Sequence, residues 1–248
     1  MTAGNRHIRS RQKPASSILK GLRHYRRRRY EARIIRKLKQ LRSATSPAGY
    51  TLKSFDEHQC IFVHIPKCAG VSVSKSLFGN LGAGHHGIAT YQQIFSESEF
   101  NEYFKFTFTR NPWDRLVSAY LFLKQGGFND KDRQWANRNL APFKDFESFV
   151  RQWVNRENIH LWPHFRPQYE YLLTQDGVPA IDFVGRYENL EKDFIHVRER
   201  LGINSALLEL NRSQNKTEDY RLHYCSETTK QIVADTYKED IDFFKYDF

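Results

Sequence analysis

Cysteine is scarce in these 248 residues, with only Cys60, Cys68 and Cys225. The number is odd and the spacing matches no metal-ligand pattern, so a disulfide framework is excluded and reduced thiols in a reducing compartment are expected. Long apolar runs are also missing. None reaches the roughly 18 residues that a membrane span needs. The first residues are charged throughout, without the apolar stretch of a secretory leader. The expectation is a cytoplasmic protein, with a peripheral seat at a membrane open to it. Acids are the third shortage, and a local one. Residues 1–53 hold 16 of the 39 Lys and Arg but a single acid, Glu31. The net charge of +11 therefore splits into +15 for this arm and −4 for residues 54–248. A mildly acidic body offers no extended cationic stripe, which argues against nucleic acid as the partner. With 40% hydrophobic residues, including 19 Phe and 13 Tyr, the chain has ample material for a core.

Two parts are expected, a basic arm with its linker over 1–53 and a single domain over 54–248. Residues 1–17 are polar and basic and read as disordered. Helix formers then run from Ser17 to Leu41 around Arg26-Arg27-Arg28-Arg29, with a broken apolar stripe of Ile18, Leu22, Tyr25, Ile34, Leu38 and Leu41. Such a helix can lie on an anionic membrane, bind nucleic acid or dock on a partner, or it can be a solvated helix that packs loosely on its own domain or on a second copy. Ser43 to Tyr50, with Ser46-Pro47-Ala48-Gly49, reads as a linker.

The body is organised around Cys60 to Phe78, CIFVHIPKCAGVSVSKSLF. Cys60 to Ile65 is short, apolar and β-branched, as suits a strand buried on both faces. Pro66 ends it, having no N–H to donate. Lys67-Cys68-Ala69-Gly70 follow, and then a Ser-rich helix over Val71 to Phe78. Strand, small-residue turn and helix start together aim free N–H groups and a positive dipole end at one spot, with a lysine at its mouth. A phosphate or sulfate fits there; an ordinary βα turn with an exposed lysine is the competing reading. A Walker A pattern is absent, which weakens a kinase or nucleotide-hydrolase alternative.

A second unit of the same kind follows. Phe104 to Thr109 alternates as a strand and leads into Arg110-Asn111-Pro112-Trp113-Asp114-Arg115-Leu116-Val117-Ser118. Asn111 suits the N-cap, Pro112 the first helical position and Asp114 the first turn. Arg110 with its planar fork, and Ser118 two turns along, can grip a second anion. Between the units lies a glycine-rich loop with His85 and His86, either solvated or a source of a general base. Ser96 to Glu99 has capping-box spacing. Gln125 to Asn139 reads as a mobile loop, and Phe146, Phe149, Val150 and Trp153 as the core face of a helix capped by Asp145. Ile181 to Gly185 is a third strand, ending in Arg186-Tyr187-Glu188-Asn189 as an ion-paired strand end. Ser226 caps a last helix to about Asp240, and the aromatic C-terminus packs back on the body. Trp113, Trp135, Trp153 and Trp162 suit either glycan stacking or the core.

Taken together, HIPKCAG-x-S and FKFTFTRNPWDRLVSAY resemble the sulfotransferases that use 3′-phosphoadenosine 5′-phosphosulfate (PAPS), most closely the carbohydrate branch. The resemblance covers roughly 58–248. It implies an α/β fold, with a mostly parallel central sheet flanked by helices and P-loop-like in its first unit. It places the 5′-phosphosulfate on Pro66, Lys67, Cys68, Ala69, Gly70, Val71 and Ser72, and the 3′-phosphate on Arg110 and Ser118. Cys68 stands where the family usually has Thr, and Val71 where it has Thr or Ser. The family also implies Lys67 on the leaving phosphate and a histidine base in the loop holding His85 and His86, with His86 preferred. It further implies nucleotide cover from Arg212, Ser213 and Lys216, an acceptor border at His164 and Gln168, and no metal. The implied acceptor is a hydroxyl, as of a glycan. A turn with Pro167 opening a short helix is the other reading of His164 to Gln168.

Overall fold

The computed structural model describes residues 15–208, 210 and 219–248, with the side chains of the first helix described at Tyr25 and from Arg28 onward. The expected disorder of residues 1–17 thus lies outside the described residues as far as residue 14. In chain order the helices and strands are α1 (Ala15–Leu41), α2 (Lys53–Glu57), β1 (Cys60–Val63), α3 (Gly70–Phe78), α4 (Ile88–Tyr91), α5 (Glu97–Glu102) and β2 (Phe104–Thr109). They continue with α6 (Pro112–Lys124), α7 (Asp130–Asn139), α8 (Phe146–Trp153), β3 (Phe183–Arg186), α9 (Leu190–Arg200), α10 (Glu227–Thr236) and α11 (Lys238–Phe244).

The three strands form one parallel sheet in the order β1-β2-β3, with Cys60 opposite Phe104 and Phe106 opposite Phe183. Every residue of β1 and five of the six in β2 are buried, as apolar strands covered on both faces must be. Parallel strands need crossovers, and each strand here is followed by a helix: α3, α6 and α9. The turns of the three units therefore gather at the carboxyl edge of the sheet, where ligands of such folds bind. The expected architecture, a parallel sheet flanked by helices, is the one observed.

Several helix starts follow from their caps. Ser96 and Asp145 each form a capping box, Asn111 accepts from Trp113 N with Pro112 at the first helical position, and Ser226 accepts from Thr229 N. The last helix is two helices, broken at Tyr237. Two hydrophobic clusters result. One surrounds the sheet, with Ile61, Phe62, Phe106 and Phe194 among its members. The other joins α6, α7, α8 and α10 through Leu116, Leu140, Phe149, Trp153 and Val233. Trp113 and Trp153 are buried in that second core, and Trp135 stacks on Trp162 with ring centroids 5.1 Å apart.

Two expectations change. The polar stretch 125–139 is no open loop, because Asn129 caps α7 through Lys131 N and Asp132 N and the helix buries Asp132 and Ala136. Among the described residues the Arg186 guanidinium meets no carboxylate; it donates to the Phe244 carbonyl at 2.6 Å and lies over the Tyr246 ring, while the backbone N–H donates to Asp193 Oδ2 at 2.7 Å.

The end of α1 is docked. Leu38 and Leu41 are buried, and the Leu41 carbonyl accepts from Leu52 N and from the Thr51 hydroxyl. Arg42 bridges Asp56 and Glu99, at 2.6 Å to each. The stretch 43–50 is a closed turn in which Ser46 N donates to Tyr50 O and Tyr50 N to Ser46 Oγ.

Candidate active site

The turn after β1 is built under strain. Lys67 and Ala69, neither a glycine, take the left-handed conformation at φ 71° and 60°, and each such residue costs on the order of 1–3 kcal/mol. What the strain achieves is local: the chain reverses within Pro66–Ala69 and α3 begins with no side chain capping it. Its first amides therefore face the turn unclaimed by any cap. Gly70 can only be glycine, since a Cβ there would overlap the buried His64 ring.

Lys67 stands half-buried at this point, its Nζ 3.8 Å from the centre of the Phe122 ring. Burial, reinforced by the Arg110 guanidinium, lowers its pKa to about 8. Among the described residues no carboxylate lies within ion-pair distance of it. A desolvated lysine next to other cations, without a fixed counter-ion, has the electrostatics that favour an anion.

Three imidazoles form a row that ends at the Phe122 ring. The His85 ring lies 4.4 Å from His64 and 5.9 Å from His164, and His164 lies 5.1 Å from Phe122, the ring under Lys67. His85 Nδ1 sits 3.1 Å from the His64 carbonyl. A carbonyl can only accept, so Nδ1 carries the proton and Nε2 is left as the basic nitrogen. His85 keeps exposed surface although protein atoms surround its ring. That crowding lowers its pKa against the support of the His64 carbonyl. His164 is buried and pushed to about 2 by desolvation, then by His85, Lys67 and Arg115. It is therefore neutral, and its 4.0 Å approach to Asp132 is no ion pair. His86 differs: its pKa falls to about 4 through burial, then His85 and Lys37 of α1. His85 belongs to the row of rings that leads through His164 to Phe122 under Lys67, whereas His86, the preferred histidine of the loop, has Lys37 of α1 as a charged neighbour.

The turn after β2 is organised differently. Arg110 donates from Nε and Nη2 to both oxygens of Asp114, each at 2.7 Å, and lies over the Tyr187 ring at 4.1 Å. Its Nη1 reaches the Lys67 carbonyl at 3.3 Å, so the two turns touch. Burial opposes its charge, but the Asp114 carboxylate raises its pKa. Ser118 lies four residues beyond Asp114 on the same face of α6, half-exposed, its hydroxyl without a partner among the described residues.

Other expected residues have settled occupations. The Ser72 hydroxyl donates to the Leu210 carbonyl at 3.0 Å and accepts from Leu210 N at 3.2 Å. Arg212, Ser213 and Lys216 lie outside the described residues. Cys68 is buried, its thiol 3.2 Å from Gln168 Oε1 and pushed up to about 12 by burial. Gln168 is wholly buried with both amide atoms bonded to protein, which removes it from an acceptor border; it is a tie between the turns. Val71 is half-exposed in the first turn of α3.

Two buried charged residues beside the site are not singled out by the motifs. Arg115 is buried to 2% exposure and donates to the carbonyls of Pro66 and Arg166, each at 2.9 Å, which pins the first turn onto α6. It stands inside the second motif, but nothing in the spacing tells a buried arginine from a surface one. Asp132 is buried between Trp162 Nε1 and Phe128 N. Asn129-Asp130-x-Asp132, an N-cap followed by first-turn acids, is the signal that could have found it.

A model of the sulfotransferase family matches residues 50–247. Carbohydrate sulfotransferase 14 of Danio rerio is 27% identical over 175 residues, 59% of this chain and 47% of that protein. Carbohydrate sulfotransferase 11 of Mus musculus is 24% identical over 233 residues, 77% of this chain and 65% of that protein. An uncharacterised protein of Archaeoglobus fulgidus is 34% identical over 108 residues, 44% of this chain and 75% of that protein. The chain thus spans about half to two thirds of the length of these two carbohydrate sulfotransferases.

Proposed function

Because the chain belongs to the sulfotransferase family, we propose that it transfers the sulfuryl group of PAPS to a hydroxyl of a carbohydrate, releasing adenosine 3′,5′-bisphosphate. The observation that carries this reading is Lys67, a half-buried cation with no carboxylate partner among the described residues, beside the uncapped start of α3. A bound nucleotide of this kind supplies an activated sulfuryl group on a phosphate leaving group. The 5′ end would rest on Lys67 and the first amides of α3, and the 3′-phosphate on Arg110 and Ser118.

Lys67 and those amides are fixed donors placed where negative charge grows during transfer, so they favour the transition state over the ground state. His85 Nε2 receives the acceptor hydroxyl's proton. Its tautomer is set by the His64 carbonyl, and its lowered pKa keeps it unprotonated at neutral pH. The half-buried Trp135–Trp162 stack and exposed Phe128 and Leu161 offer apolar faces near Asp132, of the kind that sugar rings stack on. The carbohydrate names of two relatives support that acceptor class.

On the arm, the cations Arg28, Arg29, Arg33, Arg36 and Lys39 lie opposite the docked Leu38 and Leu41 and are exposed. That outward cationic face supports a peripheral seat on an anionic membrane, where each cation is worth about 1 kcal/mol. No helix among the described residues is long and apolar enough to cross one.

The test of the main reading is a ligand comparison by thermal shift. Adenosine 3′,5′-bisphosphate is expected to stabilise the protein more than ATP with Mg²⁺ or a random DNA duplex. Stabilisation by ATP with Mg²⁺ alone would replace sulfuryl transfer with phosphoryl transfer.

A further inference from the structure

The two turns differ in sequence and come from separate strand–helix units, yet one side chain bonds to both. Gln168 Oε1 accepts from Arg110 N at 2.9 Å and from the Cys68 thiol at 3.2 Å. Its Nε2 donates to Arg110 O at 2.8 Å, with Asp240 Oδ2 at 3.4 Å. The amide thus pairs with both backbone groups of Arg110 as a neighbouring strand would. The pairing begins where β2 ends, so Gln168 extends the sheet edge by one residue. Gln168 is itself held, its backbone N–H donating to Asp240 Oδ2 and that of Tyr169 to Asp240 Oδ1, both at 2.8 Å. Gln168 and Asp240 are both fully buried, so their bonds are shielded from competing water and costly to leave unmade.

We infer that Gln168 is a positioning residue that couples the two halves of the donor site, locking Cys68 of the first turn to Arg110 of the second so that the two ends of one nucleotide are read at a fixed separation. This rests on the sulfotransferase reading above. It also accounts for Cys68, whose thiol faces Gln168 rather than a ligand and donates the hydrogen bond that fastens the first turn. Cys68→Ser would keep a donor there, and Cys68→Ala would not.

The test is calorimetric titration of the full chain with adenosine 3′,5′-bisphosphate and with adenosine 5′-monophosphate. The ratio of the two affinities measures how far the 3′-phosphate is used once the 5′ end is seated. Gln168→Met keeps the volume and removes both amide partners. It is expected to lower the ratio about tenfold, the scale of a lost buried hydrogen bond, with the monophosphate affinity changed far less. Cys68→Ala is expected to lower the ratio about threefold and Cys68→Ser to restore it. A purely structural role would lower the melting temperature and leave the ratio alone. An unchanged ratio in folded Gln168→Met overturns the inference, and if that variant does not fold, an unchanged ratio in Cys68→Ala does so. Should the wild type bind neither nucleotide, the donor reading itself has failed.

Discussion

The two turns at the carboxyl edge of the sheet each place one cation, and they treat it in opposite ways. Lys67 is strained into position, set on an aromatic face and, among the described residues, left without a carboxylate. Arg110 is satisfied in advance, its fork on Asp114 and its plane on Tyr187. The first cation is free to respond to charge that appears during a reaction. The second is preset, and its geometry can recognise a group without rearranging. Under the proposed function, the first turn serves the chemistry and the second the recognition of the nucleotide.

The largest effect that separates them is expected at Lys67. Lys67→Ala should lower kcat by roughly a hundredfold or more, the scale of one lost transition-state donor, with a smaller change in nucleotide affinity. Equal losses in both would make the two turns alike. His85→Ala should lower kcat by about a hundredfold, within the range of general-base catalysis, while His86→Ala stays near wild type; the reverse ranking would restore the preference for His86. Arg110→Ala should cost about tenfold in affinity for adenosine 3′,5′-bisphosphate and little for adenosine 5′-monophosphate, measured by titration. An equal loss for both would mark Arg110 as structural.

The pH profile sharpens the same contrast. Lys67 is charged below its pKa of about 8, so kcat/KM should fall as pH rises through that value. A bound anion favours the charged form and should move the same limb upward in kcat. His85, held below the ordinary imidazole range by burial, should give the acidic limb, lost as pH falls through its lowered pKa and absent from His85→Ala. Arg110, raised further above an already high value, should contribute no limb.

The smallest effect is expected in the arm. Removing residues 1–30 should leave turnover on a soluble acceptor and the melting temperature unchanged, and reduce salt-sensitive binding to anionic vesicles. Cutting at 46 also removes Leu38, Leu41 and Arg42. The two leucines alone bury side chains worth about 1.5–3 kcal/mol each, so that truncation should melt earlier. Equal stability of the two truncations would mean that these contacts contribute nothing.

What is legible in the sequence is local. Strand, turn and helix start can be read at Cys60 to Phe78 and at Phe104 to Ser118 because proline, caps and alternation act over a few residues. α7 reads as a loop because its polar side chains mask the burial of Asp132, which depends on Trp162 and on Phe128 N. The difference between His85 and His86 is not legible either: the neighbours of adjacent residues, His64 and His164 for one and Lys37 for the other, are set by the fold. The burial of Gln168 is not legible in its motif, since its partners Cys68, Arg110 and Asp240 are each 58 residues or more away in sequence.

The most direct measurement is transfer of radiolabelled sulfur from PAPS to a panel of polysaccharides and simple glycosides, by wild type and by Lys67→Ala side by side. Label should move to a carbohydrate hydroxyl with the wild type and roughly a hundredfold more slowly with the variant. Equal transfer by both proteins would contradict the role given to the first turn. Label that reaches no hydroxyl acceptor, while the protein phosphorylates the same panel from ATP and Mg²⁺, would contradict the account as a whole.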